Sequence, residues 1–305
     1  MKKLGGIEIG GTKIQVVISG IEGRIENCYR FDVRKQLGAQ GILEQIGSVL
    51  CGWKRHHLDI QGIGVAFGGP LDAATGRIIC SHQIEGWENF DLASWVCDTF
   101  GQTRVVVEND ANVAALGEAR HGAGRGFDPV VYVTLGSGVG GGAIVQNRIY
   151  HGAAPGELEV GHLRLNKEGL KVEASCSGWA VDQKILAAIQ GNPTGKLAEL
   201  CAGMKNKQAK MLLSAIQAGD ADAAQILKDT ADDLALALSH VVHLIHPQAI
   251  IIGGGLSLMG EVLRQAIEQA LPRYLMRAFQ PGPRILLAQL GEQVVPVGAL
   301  ELVRS

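Results

Sequence analysis

Residues 4–19 read LGGIEIGGTKIQVVIS, two apolar runs on either side of the turn Gly10-Gly11-Thr12-Lys13. This pattern predicts a strand, a glycine turn and a second strand. It returns at 130–150, where Gly136-Ser137-Gly138 separates two further apolar runs, so that Thr12 and Ser137 lie at equivalent points 125 residues apart. A repeat of this length predicts two similar α/β halves that face each other, with both glycine turns lining the cleft between them.

Strands and helices alternate along the rest of the chain. Apolar runs predict further strands at 25–33, 60–67, 103–107, 143–150, 249–253 and 285–288. Helical spacing predicts helices at 39–53, 92–100, 113–120, 257–271 and 297–304, with mostly helix from 179 to 246. We predict a first domain of residues 1–118 plus 289–305 and a second, larger domain of residues 119–288.

The composition excludes several classes of protein. Lys and Arg number 28 and Asp and Glu 30, so a net charge of −2 offers no positive field for a nucleic-acid backbone. The longest uncharged run, 234–259, holds three histidines, a proline and three consecutive glycines, which is typical of helix, turn and strand rather than of a membrane span. The six cysteines form no C-x-x-C pair, and the first residues do not resemble a signal peptide. We therefore expect a cytoplasmic protein without nucleic-acid or membrane partners.

The glycine turns could bind phosphate, because glycine lets backbone N–H groups point at an anion, and Thr12 and Lys13 add a hydroxyl and a charge. No Walker sequence occurs in the chain. Each turn taken alone also fits an ordinary hairpin, but two turns at matching positions of a repeat favour a shared ligand. A third cluster, Gly253-Gly254-Gly255, follows an apolar strand and either admits a planar ligand or forms a simple strand–helix turn.

Asp110 is the best candidate for a catalytic group. It lies where a predicted strand ends and a predicted helix begins, and the helix dipole there favours the ionised carboxylate. Such a carboxylate is a modest base, which suits phosphoryl transfer because positioning outweighs proton abstraction in that reaction. The alternative is that Asp110 only caps the helix.

Glu159, His162 and Glu173 form a further candidate group. Two carboxylates and an imidazole within fifteen residues could hold the vicinal hydroxyls of a sugar or a metal ion, and the spacing alone does not choose. His162 has no Cys or His partner at the usual spacing of a metal site. Trp87 either forms the floor of a binding site or packs in the core.

Six motifs, in this order, resemble the ROK family of sugar kinases and related repressors, within the actin-like ATPase superfamily. They are EIGGTK at 8–13, GVAFGGP at 64–70, NDAN at 109–112, TLGSGVGGG at 134–142, EVGH at 159–162 and IGGGLS at 252–257. The resemblance covers nearly the whole chain. It implies two actin-like (ribonuclease H-like) α/β domains around a central cleft and an ATP-dependent hexose kinase, glucokinase-like or fructokinase-like, with Mg²⁺ carried by the nucleotide.

The same resemblance implies a role for each site residue. Asp110 would take the proton from the sugar hydroxyl that attacks the γ-phosphate. The sugar would be held by Asn109, Glu159, His162 and Glu173. The nucleotide would be held by Glu8, Gly10, Gly11, Thr12, Lys13, Gly136, Ser137, Gly138, Gly254 and Gly255.

Three features depart from the family pattern. Glu8 replaces the family's first Asp, although a longer carboxylate can still reach a water bound to Mg²⁺. The stretch 164–172, RLNKEGLKV, has no cysteine where the family's zinc loop C-x-C-G-x-x-G-C would lie. We therefore expect no structural zinc and a His162 that serves the sugar alone. Gln83 stands where the family has an Asn beside the sugar, which leaves the substrate undetermined.

Two other functions stay open at this point, an N-acylhexosamine kinase and a non-catalytic relative that binds only a sugar or a nucleotide. Repressors of the family carry a helix-turn-helix ahead of the first phosphate strand, which begins here at residue 4, so we expect a kinase rather than a repressor. The resemblance also suggests a homodimer. Which sugar is bound depends on pocket geometry that motif spacing does not supply.

Overall fold

The computed structural model describes residues 2–20, 24–81, 83–153, 156 and 158–304. Its strands are β1 (Lys3–Ile9), β2 (Lys13–Gly20), β3 (Ile25–Asp32), β4 (Ile60–Phe67), β5 (Leu71–Asp72), β6 (Arg77–Ile78), β7 (Arg104–Asn109), β8 (Val130–Leu135), β9 (Val139–Val145), β10 (Arg148–Ile149), β11 (Ala249–Gly253) and β12 (Arg284–Leu287). Its helices are α1 (Gly38–Arg55), α2 (Leu92–Phe100), α3 (Asp110–His121), α4 (Val172–Cys176), α5 (Gly178–Gly191), α6 (Lys196–Leu200), α7 (Leu212–Gln217), α8 (Ala221–Ile245), α9 (Glu261–Ala270) and α10 (Val294–Val303).

The strands form two five-stranded sheets with the same topology. Their orders are β3-β2-β1-β4-β7 and β10-β9-β8-β11-β12. In each sheet three antiparallel strands are followed by two strands that run parallel to the first. The predicted internal repeat is therefore confirmed, with the two glycine turns at the tips of the equivalent hairpins β1–β2 and β8–β9. The division of the chain into the domains given above stays a prediction.

Helices cover both faces of the first sheet. Adjacent residues of a strand point to opposite faces, and in β1 the position of a Cβ on Gly5 lies 3.0 Å from the Trp53 ring of α1. A Cβ on Gly6 would lie 3.4 Å from Leu300 of α10 on the other face. A strand buried on both faces reads as a continuous apolar run, which explains why the first strands were recognisable in the sequence.

The second sheet is covered in the same way. Val131 and Val133 of β8 belong to a core cluster with helices α8 and α9. Val130 and Tyr132, which alternate with them, pack instead in a cluster with helix α3. Helix α3 also packs against α10, so it lies between the two sheets and its first turn is at the cleft.

Glycines allow α10 to pack unusually close to its neighbours. A Cβ on Gly64 of β4 would overlap the carbonyl oxygen of Ala299, and a Cβ on Gly298 would overlap that of Val113. Only glycine fits at such close backbone approaches. Helix α10 is thereby held against both the first sheet and α3.

Two of the predicted elements are each divided into two in the structure. The strand predicted at 143–150 is divided into β9 and β10, because Gln146 and Asn147 form a two-residue turn with φ of 51° and 58°. The helix predicted at 257–271 begins as a 3-10 turn over Gly255–Met259, and Gly260, at φ 65°, separates that turn from α9. Within the described ranges, no helix combines the length and apolar character needed to cross a membrane.

Candidate active site

The junction of β7 and α3 carries Asn109 and Asp110. Asn109 Oδ1 accepts hydrogen bonds from the backbone N–H groups of Ala111, over 2.8 Å, and Asn112, over 3.3 Å. These bonds make Asn109 the cap of α3. The alternative that Asp110 is the cap is therefore wrong; Asp110 is the first residue of the helix, where the helix dipole stabilises an anion.

The first glycine turn lies beside Asp110. The Gly10 N–H donates to the Lys13 carbonyl over 3.1 Å and closes the hairpin β1–β2. At the end of the neighbouring strand β4, a Cβ on Gly68 would lie 3.1 Å from Asp110 Oδ2 and 3.5 Å from the carbonyl oxygen of Ile9. The turn, the end of β4 and the Asp110 carboxylate therefore converge.

The second glycine turn flanks the same helix from the opposite sheet. A Cβ on Gly140 of β9 would lie 3.4 Å from Cβ of Ala111, the second residue of α3. The turn itself is closed by a hydrogen bond of 2.9 Å from the Gly136 N–H to the Gly138 carbonyl. The structure therefore brings both turns to the N-terminus of α3, in agreement with the prediction that they line one cleft.

The third glycine cluster rests on the second turn. Gly254 has φ 80°, and a Cβ there would lie 2.5 Å from the backbone of Leu135, the residue before Gly136. Gly255 faces open space, since its Cβ position has no atom within 4 Å. A flat ligand can therefore approach the Gly255 backbone next to the turn.

Glu8 is a buried carboxylate at the end of the first hairpin. Its Oε2 accepts a hydrogen bond of 2.5 Å from Gln15 Nε2, and its Oε1 lies 3.4 Å from Lys13 Nζ. Burial raises the pKa of Glu8 above its ordinary value, although Lys13 and the Gln15 hydrogen bond both act to lower it. Gln15 therefore helps to keep this carboxylate ionised.

A small hairpin lies where the family resemblance would place a zinc loop. Arg164 pairs with Lys171 in an antiparallel bridge, and the N–H of Val172 donates to the Leu163 carbonyl over 3.0 Å. Glu173 follows directly, and its Oε2 accepts a hydrogen bond of 3.0 Å from the Val139 N–H. Backbone hydrogen bonds thus hold Glu173 next to the second glycine turn.

His162 has a neighbour that the sequence analysis did not anticipate. Its Nδ1 lies 3.1 Å from Lys171 Nζ. One ring nitrogen of His162 therefore contacts the ammonium group, and the expectation that His162 serves the sugar and no zinc stays a prediction. A Lys ammonium group only donates, so this contact favours the tautomer in which Nδ1 accepts and Nε2 carries the ring hydrogen.

The residues described contain no group of three or more His, Cys, Asp or Glu side chains placed to hold a metal ion. Cys176, the cysteine nearest the hairpin in sequence, is buried. Burial and the neighbouring Asp233 raise the pKa of the Cys176 thiol to about 12, so the thiol is protonated at neutral pH. The absence of structural zinc stays a prediction.

The last candidate, Trp87, packs in the core, whereas His246 of the uncharged run is exposed. Trp87 is fully buried, with its ring edge-on to Phe67 at 5.2 Å and to Phe90 at 5.4 Å, so it belongs to the core. His246 lies just past α8 in a left-handed conformation and stacks on Phe279 at 4.1 Å.

A model of the ROK family matches residues 4–305. The chain belongs to the ROK family. A glucokinase from Halalkalibacterium halodurans is 31% identical, with 98% of this chain and 94% of that protein covered. A glucokinase from Thermotoga maritima is 27% identical, with 99% and 98% covered. These matches confirm the family recognised from the motifs.

A solved ROK glucokinase from Streptomyces griseus, in complex with glucose and AMPPNP, matches the fold with a TM-score of 0.84. It is 31% identical to this chain, and the match covers 99% of both chains. The predicted fold class, two actin-like α/β halves around a cleft, is confirmed.

Four polar residues at or near the site were not predicted from the sequence. Gln15 and Lys171 contact predicted site residues, and Glu108 and His151 contact each other. Glu108 could have been found, because it directly precedes the Asn-Asp pair on an otherwise apolar strand. The other three carry no motif, and only their contacts reveal them.

Proposed function

We propose that this chain is an ATP-dependent hexose kinase and that Asp110 is its general base. The observation that carries the proposal is the position of the Asp110 carboxylate at the N-terminus of α3, flanked by two glycine hairpins. The glucokinases among its relatives, one bound to glucose and AMPPNP, support a hexose and ATP as substrates. Glucose is the first sugar we propose.

In this reaction Asp110 accepts the proton of one sugar hydroxyl as the hydroxyl oxygen attacks the γ-phosphorus. The bond from that phosphorus to the bridging oxygen breaks, and ADP leaves. We assign the phosphates to the two glycine turns, through the backbone N–H groups of Gly11, Ser137 and Gly138, because those of Gly10 and Gly136 close the turns. The Thr12 hydroxyl and the Lys13 charge lie beside them. We assign the adenosine to Gly254 and Gly255, because the backbone at Gly255 is open to a ligand.

The nucleotide substrate is proposed to be MgATP. Mg²⁺ prefers oxygen ligands and keeps several waters, and Glu8 offers a carboxylate at the end of the first hairpin, which fits this preference. When bound, the ion neutralises charge on the phosphates. We assign Glu8 to the ion's water shell, and no zinc is proposed.

The sugar is proposed to lie between Asp110 and the segment that carries Glu159, His162 and Glu173. Two backbone N–H groups occupy Asn109 Oδ1, so we assign the sugar contact of Asn109 to Nδ2. His162 can donate from Nε2 to a sugar oxygen. Location in the cytoplasm and a homodimer stay predictions.

The test is ADP release from MgATP with glucose, fructose, mannose, allose and the N-acetyl sugars, against a reaction without sugar. Turnover with glucose well above the background supports the proposal. Turnover with an N-acetyl sugar alone favours the N-acylhexosamine kinase. Tight AMPPNP binding without turnover on any sugar favours the non-catalytic relative.

The role of Asp110 is tested by Asp110→Asn, with the exposed Asp98→Asn on α2 as the matched control. Loss of a general base lowers kcat by about 10²–10⁴-fold. Sugar binding, measured by calorimetry, is expected to change little because the sugar ligands are intact. A kcat for Asp110→Asn close to that of Asp98→Asn would contradict the assignment.

A further inference from the structure

Glu108 is a buried carboxylate next to the proposed base, and the proposed chemistry does not use it. It precedes Asn109 on β7 and is 4% exposed. A carboxylate withdrawn from water persists only where hydrogen bonds or charges compensate it. The residues that hydrogen-bond to Glu108 therefore indicate its role.

The two oxygens of Glu108 bond to two different parts of the chain. Oε1 accepts hydrogen bonds from the Asn109 N–H, over 2.8 Å, and from Asn112 Nδ2, over 3.0 Å. Oε2 lies 2.6 Å from His151 Nε2, in the connection that follows β10. Because a carboxylate accepts, the hydrogen of this short bond belongs to His151.

A second bond ties the same two parts together. Asn112 Nδ2 also donates to the carbonyl oxygen of Gly156 over 3.2 Å. The connection that leads from β10 to Glu159 and His162 is therefore fastened at two points to the β7–α3 junction. That junction carries Asp110.

We propose that Glu108 and His151 are a positioning pair that sets the sugar against Asp110. The inference rests on the proposed function: Glu159 and His162 hold the sugar, Asp110 removes its proton, and Glu108 bonds to both of the segments involved. Neither member of the pair touches the sugar. Their bond controls how far the sugar hydroxyl lies from the base.

A carboxylate suits this place better than an amide. Three N–H donors converge on Glu108, and a carboxylate offers acceptors only, whereas Glu108→Gln would direct an NH₂ group at one of the donors. The His151 side chain is 40% exposed, so shortening it leaves no cavity in the core. Variants at 151 therefore test the bond without threatening the fold.

The experiment compares three single variants, His151→Ala, His151→Gln and Glu108→Gln. It adds the double variant that combines His151→Ala with Glu108→Gln. The exposed His56→Ala serves as the control. His151→Ala is expected to raise the sugar KM and lower kcat, together by about tenfold to a hundredfold in kcat/KM, because misplacing a substrate by about 1 Å has that effect. The KM for MgATP should stay within about twofold, since the nucleotide is assigned to other elements.

Two further results separate a positioning role from a general structural one. His151→Gln, which keeps a donor, is expected to recover most of the lost kcat/KM. The double variant should be little worse than the worse single variant, because both changes break one interaction. Unchanged sugar kinetics in His151→Ala, or effects that add in the double variant, would overturn the proposal.

Amide hydrogen exchange tests the pair apart from catalysis. In His151→Ala, exchange is expected to accelerate both in the first turn of α3 and at 158–162, relative to wild type and His56→Ala. If wild type phosphorylates no sugar, the proposed function fails, and exchange still decides whether the pair holds the two segments together. Unchanged exchange in both segments would refute the proposal that the pair holds them together.

Discussion

The backbone N–H of Val139 donates a hydrogen bond of 3.0 Å to Oε2 of Glu173. Val139 is the first residue after the second glycine turn, and a Cβ on Gly138 would overlap the same carboxylate. A residue assigned to the sugar is thus held by the turn assigned to the phosphates. The two substrates share one structural support.

Two substitutions at Glu173 should separate its two contacts. Glu173→Gln keeps an acceptor for the Val139 N–H but loses the charge, so we expect a higher sugar KM and an unchanged KM for MgATP. Glu173→Ala also releases the turn, so both KM values should rise. Steady-state kinetics decide this, with the exposed Glu168→Gln in the same hairpin as control. Identical kinetics for the two Glu173 variants would contradict the inference that Glu173 and the second glycine turn support each other.

Gln15→Leu should shift the pH dependence of MgATP use. Burial raises the pKa of Glu8, and the Gln15 hydrogen bond opposes that rise, so its loss raises the pKa further. If the ionised carboxylate supports MgATP binding, activity falls when Glu8 gains a proton. The acidic limb of kcat/KM for MgATP should therefore move to higher pH in Gln15→Leu. Gln40→Leu on the exposed face of α1 is the control, and an unmoved limb would exclude Glu8 from this role.

Lys171→Met should weaken sugar binding through His162. The Lys171 ammonium group holds the ring hydrogen on Nε2, and the substitution frees the ring to adopt the other tautomer. We expect a severalfold higher sugar KM with little change in kcat, and recovery in Lys171→Arg. Nitrogen chemical shifts of the His162 ring report the tautomer directly. Lys167→Met, at the exposed turn of the same hairpin, should behave as wild type; a loss of affinity there would point to the hairpin and not to the ammonium group.

Treatment with a metal chelator should leave the protein intact. Backbone hydrogen bonds close the hairpin before Glu173, so no metal is needed to hold it. Protein treated with EDTA and returned to magnesium buffer is expected to keep its Tm and its turnover. Elemental analysis of the purified protein should find far less than one zinc per chain. Stoichiometric zinc whose removal lowers the Tm would show a site that the described residues do not reveal.

Gly64→Ala should destabilise the protein strongly. The added methyl group would overlap the Ala299 carbonyl of α10, and neither backbone can retreat without disturbing a packed core. We expect a loss of about 3 kcal/mol or more in the free energy of unfolding. Gly52→Ala is the contrasting variant, because its Cβ meets no atom within 4 Å in helix α1. It should gain about 0.5–1 kcal/mol, measured by urea unfolding.

Local patterns predicted most of the fold. Apolar runs around glycine turns identified both hairpins, and the change from strand to helix placed Asp110 at its junction. The break between β9 and β10 was missed because Gln146 and Asn147, not glycines, adopt the left-handed turn. Turn conformations of this kind leave little trace in apolar spacing.

The sequence predicted which residues form the site, but it did not predict the contacts between them. Asp110 and the glycine turns carry recognisable motifs. The hydrogen bonds from Val139 to Glu173 and from His151 to Glu108 join residues that are far apart in the chain. The spacing of apolar residues predicts local helices and strands, and it does not predict polar contacts between distant residues. The motifs therefore identified the residues of the site, and only the folded structure showed which residues hydrogen-bond to them.

Helix α10 has a consequence for the synthesis of the chain. It covers one face of β1 and β4, yet it leaves the ribosome roughly 230 residues after β4, a delay of roughly 10–50 s at ordinary elongation rates. During that interval the second sheet is made while one face of the first stays uncovered. A chain whose synthesis stops before residue 294 would therefore contain a first sheet that lacks this cover.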